Sequence, residues 1–550
     1  MNYDEAVQAA TAPGQIYEIE DGVVRGLPMK VFKNAPSSLA DMFGLAAFHG
    51  DVDFLVYGEE RMSFTTMYEQ VRSLAGGLVQ ELQVAPGTRV ALAMRNLPEW
   101  VISYGAICHA GAIIVPLNAW WTEEELAFAI RDAGVSVVIA DPERLERLHE
   151  QREELGITLV GVRTEPREGV VPFTSLLAAA PIDKVEVQPD DDATILYTSG
   201  TTGRPKGAVS SHRAVVSAIM AYGTRNTVAT LLAPPTTELT ERVAFILVVP
   251  LFHVTGCIPV MLGALVTGAK LVLMHHWDPE QALEVIERER ITHFIGVPTM
   301  SWDLLESPRF MTADTSTLRS VGGGGAPVPT ALVDRLHRSL GTGRAGFGYG
   351  MTETNAYGPQ IFGADLEAHP TSAGKTLPIM SVRVVDSLGN VLGPHEIGEI
   401  SFYGVNLADR YWNLPEATAL SFPGGWLRSG DLGYLDEEGY VYVVDRAKDM
   451  VIRGGENIYC IEVEAALYEH PAVYEVAVFG VPHERLGEEL VAVIYLREGH
   501  HVTEEELQDF LSTRLARFKI PSRIHFVEEA LPRGATGKIL KRAIREGLLS

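Results

Sequence analysis

The sequence predicts an α/β protein in which a large N-terminal domain is followed by a small α+β domain. Three observations carry that expectation. From about residue 60, amphipathic helical segments alternate with short apolar runs; after Ser372 the texture changes to short strands and turns; and a charged, glycine-containing stretch around Lys448 precedes a final unit of about 100 residues. Helix alternating with strand means parallel sheets covered by helices, and a run of short strands and turns reads as an antiparallel or barrel-like piece. At 550 residues the chain exceeds what one hydrophobic core supports, so at least two domains are expected, 1–447 and 448–550.

The elements follow in chain order. "FTTMYEQVRSLAGGLVQEL" precedes "TRVALAM", and "TEEELAFAIRDAG" precedes "VSVVIAD", two helix-then-strand pairs. "ATILY" is an apolar strand, and "SSHRAVVSAIMAYG" is a helix capped by Ser210 or Ser211, so the intervening loop is expected to join strand to helix. Residues 243–274 are apolar enough to span a bilayer as one helix, but Pro250 and Pro259 divide them into a strand (Val243 to Val249), a helix (Ile258 to Val266) and a strand (Lys270 to Met274). "PEQALEVIERER" and "ITHFIGVP" repeat the theme. "SVRVVDSLGNVL", "GEISFYG" and "GYVYVVD" are the strands of the barrel-like piece. Beyond "DRAKDMVIRGGENIY", "CIEVEAALYEHPAVYEVAVFGVP" and "EEELQDFLSTRLARF" read as helix, strand and helix.

Bulk properties narrow the function. A formal charge of −26 argues against non-specific nucleic-acid binding, which needs an excess of Lys and Arg. Cys108, Cys257 and Cys460 are widely spaced, giving neither a disulfide framework nor a zinc pair, and a reducing cytoplasm is the simplest setting. No secretory leader is read at the N-terminus and no transmembrane segment is expected; peripheral membrane contact and a homodimer are both compatible with the sequence. "GTGRAG" (341–346) fits the dinucleotide pattern in the wrong context, after a helix, and is rejected. His275/His276 and His500/His501 lack partners at metal-ligand spacing, and neither a G-x-S-x-G elbow nor an HExxH pair occurs.

The chemistry gathers at "YTSGTTGRPKG" (197–207). Glycines let a backbone approach phosphate closely and expose amides to it; Thr198, Ser199, Thr201 and Thr202 add hydroxyl donors and Lys206 a positive charge. The spacing is not that of a Walker loop, since no hydroxyl follows the lysine. This stretch resembles the phosphate loop of the adenylate-forming superfamily, which contains acyl-CoA synthetases, adenylation domains of peptide synthetases and beetle luciferases. "GGGGAPV" (322–328), "GYGMTET" (348–354), "SGD" (429–431), "DRAKD" with "GGENI" (445–458) and "LPRGATGKI" (531–539) follow in the superfamily's order, so the resemblance runs from about residue 35 to the end.

The resemblance implies an N-terminal domain of two parallel-sheet α/β subdomains plus a β-barrel-like subdomain, and a mobile C-terminal domain pivoting at Lys448. It implies ATP, Mg²⁺ and CoA as cofactors or co-substrates. Ser199, Gly200, Thr201, Thr202 and Gly203 would hold phosphates with Thr198 and Lys206. Gly324, Gly325, Ala326, Pro327 and Tyr349 would hold adenine, Asp431 and Arg446 the ribose. Thr352 would contact the adenylate phosphate, Glu353 would hold Mg²⁺, and Lys538 would bridge carboxylate and α-phosphate. Gly454 and Gly455 would line a pantetheine channel in a second domain orientation. His253, Val297, Gly323 and Gly348 are placed at the acyl pocket. That pocket offers no acid to pair with a substrate ammonium, which an amino-acid-activating domain would need, so an uncharged tail is expected. A medium- or long-chain fatty acid is the leading expectation, with its glycine-rich walls leaving volume. An aryl or cyclic acid stands beside it, as do carrier-protein loading and luciferase-type oxygenation.

Overall fold

The computed structural model describes residues 1–198, 205–233, 241–326, 328–340 and 344–549. Two eight-stranded sheets form most of the N-terminal part. In the first, Asp192–Thr198, Ile113–Pro116, Arg89–Ala93, Val137–Ala140, Thr158–Gly161 and Val170–Pro172 run parallel. In the second, Arg344–Gly348, Ser320–Gly324, His293–Gly296, Ala244–Leu247, Lys270–Leu273 and Asp53–Tyr57 do the same. Antiparallel strands close one edge of the first sheet and both edges of the second. One apolar core draws on strands of both sheets and on the helices between them. Buried on both faces, such strands need near-continuous apolar runs, as the sequence supplies.

Local signals set the helices. Phe64–Gln80 starts at Ser63, whose hydroxyl accepts the Thr66 amide at 3.1 Å, and buries Phe64, Met67, Val71, Leu74 and Leu78 on one stripe. Glu123–Ala133 opens with a capping box between Thr122 and Glu125 and ends at Gly134, whose φ of 61° a residue without Cβ adopts readily. Met380–Val385, Gly398–Gly404, Leu427–Leu435 and Val441–Arg446 make a four-stranded antiparallel sheet. The residues after it have apolar clusters of their own, built on the strands Val473–His483 and Gly487–Leu496.

Two local expectations change. The 243–274 stretch is strand, helix and strand, but its helix opens as a π-helix, Gly256–Leu262, before the α-helical turn Gly263–Thr267. Pro259 lies inside it; a proline cannot donate to the helix ladder, and a wider turn tolerates the missing bond. The loop after "ATILY" does not lead straight into a helix. Asp192–Thr198 is followed by an antiparallel strand, Lys206–Ser211, and only then by His212–Leu232, capped by Ser211. The small residues of "KGAVSS" carry too little strand signal to have announced it. Among the described residues no helix is long and apolar enough to cross a membrane.

Candidate active site

A cavity of about 3160 Å³ lies where the two sheets, the antiparallel sheet and the C-terminal domain meet. Thr198 and Lys206 face each other at the end of their hairpin, with Thr198 Oγ1 donating to the Lys206 carbonyl at 3.5 Å. Lys206 Nζ sits 4.9 Å from the centroid of the Tyr411 ring, and the Tyr411 hydroxyl donates to Glu353 Oε1 at 2.7 Å. Tyr411 therefore holds the cation on its face and the carboxylate at its tip. Ser199, Gly200, Thr201, Thr202 and Gly203 lie outside the described residues, as does Pro327.

Thr352 and Glu353 belong to a short 3-10 turn that ends at Asn355, with φ of 53°. Its side chain explains the strained backbone: buried Asn355 Nδ2 donates to Ser210 Oγ and to the Asn406 carbonyl, each at 3.0 Å, while Asn406 Nδ2 donates to the Thr354 carbonyl at 2.9 Å. The turn is bolted from both sides. Tyr411, Asn355 and Asn406 escaped the sequence reading; the only signal was an asparagine directly following "TET", which by itself reads as a loop residue.

The glycine strand Ser320–Gly324 has a second purpose besides the one its composition suggested. A Cβ at Gly322 would run into the Gly346 carbonyl oxygen, at Gly323 into that of Gly296, and at Gly324 into that of Gly348. Neighbouring backbone fills the space where each Cβ would stand, so these glycines allow close strand approach while their strand lines the cavity. Gly325, with φ of 85°, is open to one group alone: a Cβ there would stand 3.1 Å from Lys538 Cε and 3.3 Å from Lys538 Nζ. The C-terminal loop thus delivers its lysine onto the segment Gly324, Gly325 and Ala326.

Beside it, Tyr349 donates to Asp431 Oδ2 at 2.6 Å, and Arg446 Nε stands 3.6 Å from Asp431 Oδ1, the two residues being paired across adjacent strands. Burial pushes the Asp431 carboxyl up, with Tyr349 and Arg446 opposing. Burial likewise pushes Lys538 down to about 8, helped by the Arg446 guanidinium and opposed by Asp431. His253, Val297, Gly323 and Gly348 all line the cavity. The His253 imidazole is lowered to about 3, by burial first and the Lys538 charge second, so it is neutral near pH 7.

Lys448 is exposed in the turn between Val441–Arg446 and Val451–Arg453 and reaches the cavity rim. Gly454 and Gly455, with φ of 60° and 93°, make the hairpin turn from Val451–Arg453 to Glu456–Ile458 and are not on the cavity wall in this orientation. Among the described residues no group of three His, Cys, Asp or Glu side chains could hold a metal by itself. Glu353 alone suits Mg²⁺ that keeps water and phosphate oxygens as its other ligands.

The chain matches the family model described as AMP-binding enzyme over residues 45–412, and the AMP-binding enzyme C-terminal domain over 462–538. It is 38% identical to a feruloyl-CoA synthase of Amycolatopsis sp, covering 89% of this chain and 94% of the relative. It is 34% identical to the long-chain-fatty-acid–CoA ligase FadD13 of Mycobacterium tuberculosis, again over 89% and 94%. Among solved structures, ATP-bound MatB from Rhodopseudomonas palustris superposes with a TM-score of 0.79 at 31% identity, over 92% of this chain and 98% of that one.

Proposed function

The chain belongs to the AMP-binding enzyme family and is an AMP-forming acid–thiol ligase, an acyl-CoA synthetase that uses ATP and CoA; on that premise we propose that its acid is a medium- or long-chain fatty acid. In the first half-reaction the carboxylate attacks the α-phosphorus of ATP, the bond to the bridging oxygen breaks and pyrophosphate leaves. In the second the CoA thiolate attacks the acyl carbonyl and AMP leaves, the thiol proton passing to solvent.

One observation supports these site assignments above the others: Lys538, from the far end of the chain, stands against Gly325 in the cavity that also holds Lys206, Glu353, Asp431 and Arg446. Bringing two anions together requires positive charge placed beforehand, which preorganised cations supply most effectively. We assign Lys538 to the carboxylate and α-phosphate, Lys206 with Thr198 and the residues 199–203 to the outer phosphates, Thr352 to the adenylate phosphate, and Asp431 with Arg446 to the ribose. Mg²⁺ held by Glu353 would neutralise charge on the departing pyrophosphate. Unpaired, buried thiols fit a reducing cytoplasm.

The tail assignment rests on the cavity's reach. It is lined from Gly324 back to Ser320, a strand length of about 13 Å at the usual rise, and carries Ile219, Val254, Ile295 and Phe347. An extended alkyl chain suits such a shape. One feature favours an aryl or cyclic acid instead: His293 on the same wall is lowered to about 4, chiefly by burial, packs against the Phe245 ring in a tilted arrangement with centroids 4.8 Å apart and meets Thr292 Oγ1 at 2.8 Å, a neutral polar group on the cavity lining. The test is a panel of fatty, hydroxylated aryl and cyclic acids with ATP, Mg²⁺ and CoA, thioesters identified by mass. The highest kcat/KM is expected for a fatty acid; a preference for aryl acids would assign the pocket to them.

A further inference from the structure

The helix Pro298–Glu306 touches the acyl pocket at one end and the C-terminal domain at the other. Its N-cap, Val297, lines the cavity, and the loop bearing Lys538 rests on its first turn: Thr299 lies 3.4 Å from the Gly537 carbonyl, to which its hydroxyl donates, and a Cβ at Gly537 would meet Val297 Cγ2 at 3.0 Å. Its last turn presents Asp303 and Glu306. Asp303 Oδ2 accepts from Trp277 Nε1 at 2.9 Å, and Oδ1 accepts from the Tyr474 hydroxyl at 2.8 Å, one donor from each domain. The Arg533 guanidinium stands 3.9 Å from the same carboxylate. One turn on, Glu306 pairs with Arg335 of its own domain at 3.1 Å and with Arg497 of the other, whose guanidinium lies 5.5 Å from the Tyr474 ring.

Arg533 links this junction to the chemistry. It precedes Lys538 on one loop and also pairs with buried Glu475, whose second oxygen accepts the Leu531 amide at 2.6 Å. The Asp303 side chain is 16% exposed, sheltered enough for its bonds to exceed those of a surface pair.

We infer that Asp303 is a positioning residue for adenylation: its carboxylate clamps Tyr474 and Arg533 so that the loop holds Lys538 over Gly325. The inference rests on the ligase reading. Tyr474, Arg497 and Arg533 belong to the unit that carries Lys538, so rotating that unit for thioester formation breaks all three contacts together. Losing Asp303 therefore weakens the first half-reaction and spares the second.

The experiment uses full-length protein and reads the halves separately: acid-dependent ATP–pyrophosphate exchange, and thioester formation from presynthesised acyl adenylate with CoA. Asp303→Ala is expected to lower exchange kcat by about 10- to 100-fold with KM for ATP little changed, and to leave thioester formation as fast as wild type or faster. Tyr474→Phe shows the same asymmetry, more weakly, and adds little in the Asp303→Ala background, as coupled residues do. Should Asp303→Ala not fold, Tyr474→Phe, which removes one hydroxyl, decides the matter. Unchanged exchange, or equal loss in both halves, overturns the assignment. If wild type exchanges pyrophosphate but transfers nothing to CoA, the ligase reading fails while the exchange data still judge Asp303; no exchange with any acid overturns both.

Discussion

Lys538 is a lysine pulled down to about 8, and in the role we propose for it the direction matters, because only the protonated form would balance the charge of carboxylate and phosphate. The ammonium dominates below that value and is lost above it. Adenylation kcat/KM, followed by pyrophosphate exchange, is therefore expected to fall through a single proton step as pH rises past about 8, the pKa of the free enzyme's essential acid. Lys538→Arg, charged throughout, should lack the step; Lys538→Ala should lose exchange yet still pass a supplied adenylate to CoA. Composition alone would leave Lys538 a solvated loop lysine; the resemblance of "LPRGATGKI" to the superfamily's motif singles it out, whereas the glycine, hydroxyl and lysine pattern of 197–207 marks a phosphate loop on its own. Tyr411, Asn355 and Asn406 leave neither trace. They act by holding Glu353, Lys206 and the "TET" turn from distant segments, and a side chain whose task is to hold another carries no spacing of its own.

At the scale of elements, the strand Ser320–Gly324 is the least forgiving piece. Gly322→Ala is expected to cost about 3 kcal/mol or more, because the new methyl meets the Gly346 backbone oxygen, which cannot swing aside as a side chain could. Thermal unfolding of purified protein checks this, with a lower Tm or loss of soluble protein as the expected result. Apolar, β-branched strands and capped amphipathic helices such as Phe64–Gln80 and Glu123–Ala133 could be read directly, since burial and capping are written into their own residues. The hairpin strand Lys206–Ser211 and the π-helical turn around Pro259 could not, for each depends on neighbours supplying hydrogen bonds that its composition does not demand. The glycines of Ser320–Gly324 line the cavity and also let neighbouring strands approach closely, a second task their composition does not announce.

At the scale of the whole molecule, Lys448 occupies the exposed turn between the last strand of the antiparallel sheet and a unit with its own apolar core. We place the pivot there. Lys448→Pro, which fixes φ at that point, is expected to leave pyrophosphate exchange within about twofold of wild type and to slow thioester formation at least about tenfold, measured with supplied adenylate. The change of texture along the chain suggests a division near Lys448, whereas the orientation of its parts leaves no such trace, because it depends on contacts such as Tyr474 with Asp303 between residues far apart in sequence. Cys108, Cys257 and Cys460 are all buried, and burial pushes each thiol up, away from the reactive thiolate. A colorimetric disulfide reagent added to the native enzyme will accordingly count unspent coenzyme and not the catalyst, and a rise in colour without coenzyme present marks unfolding.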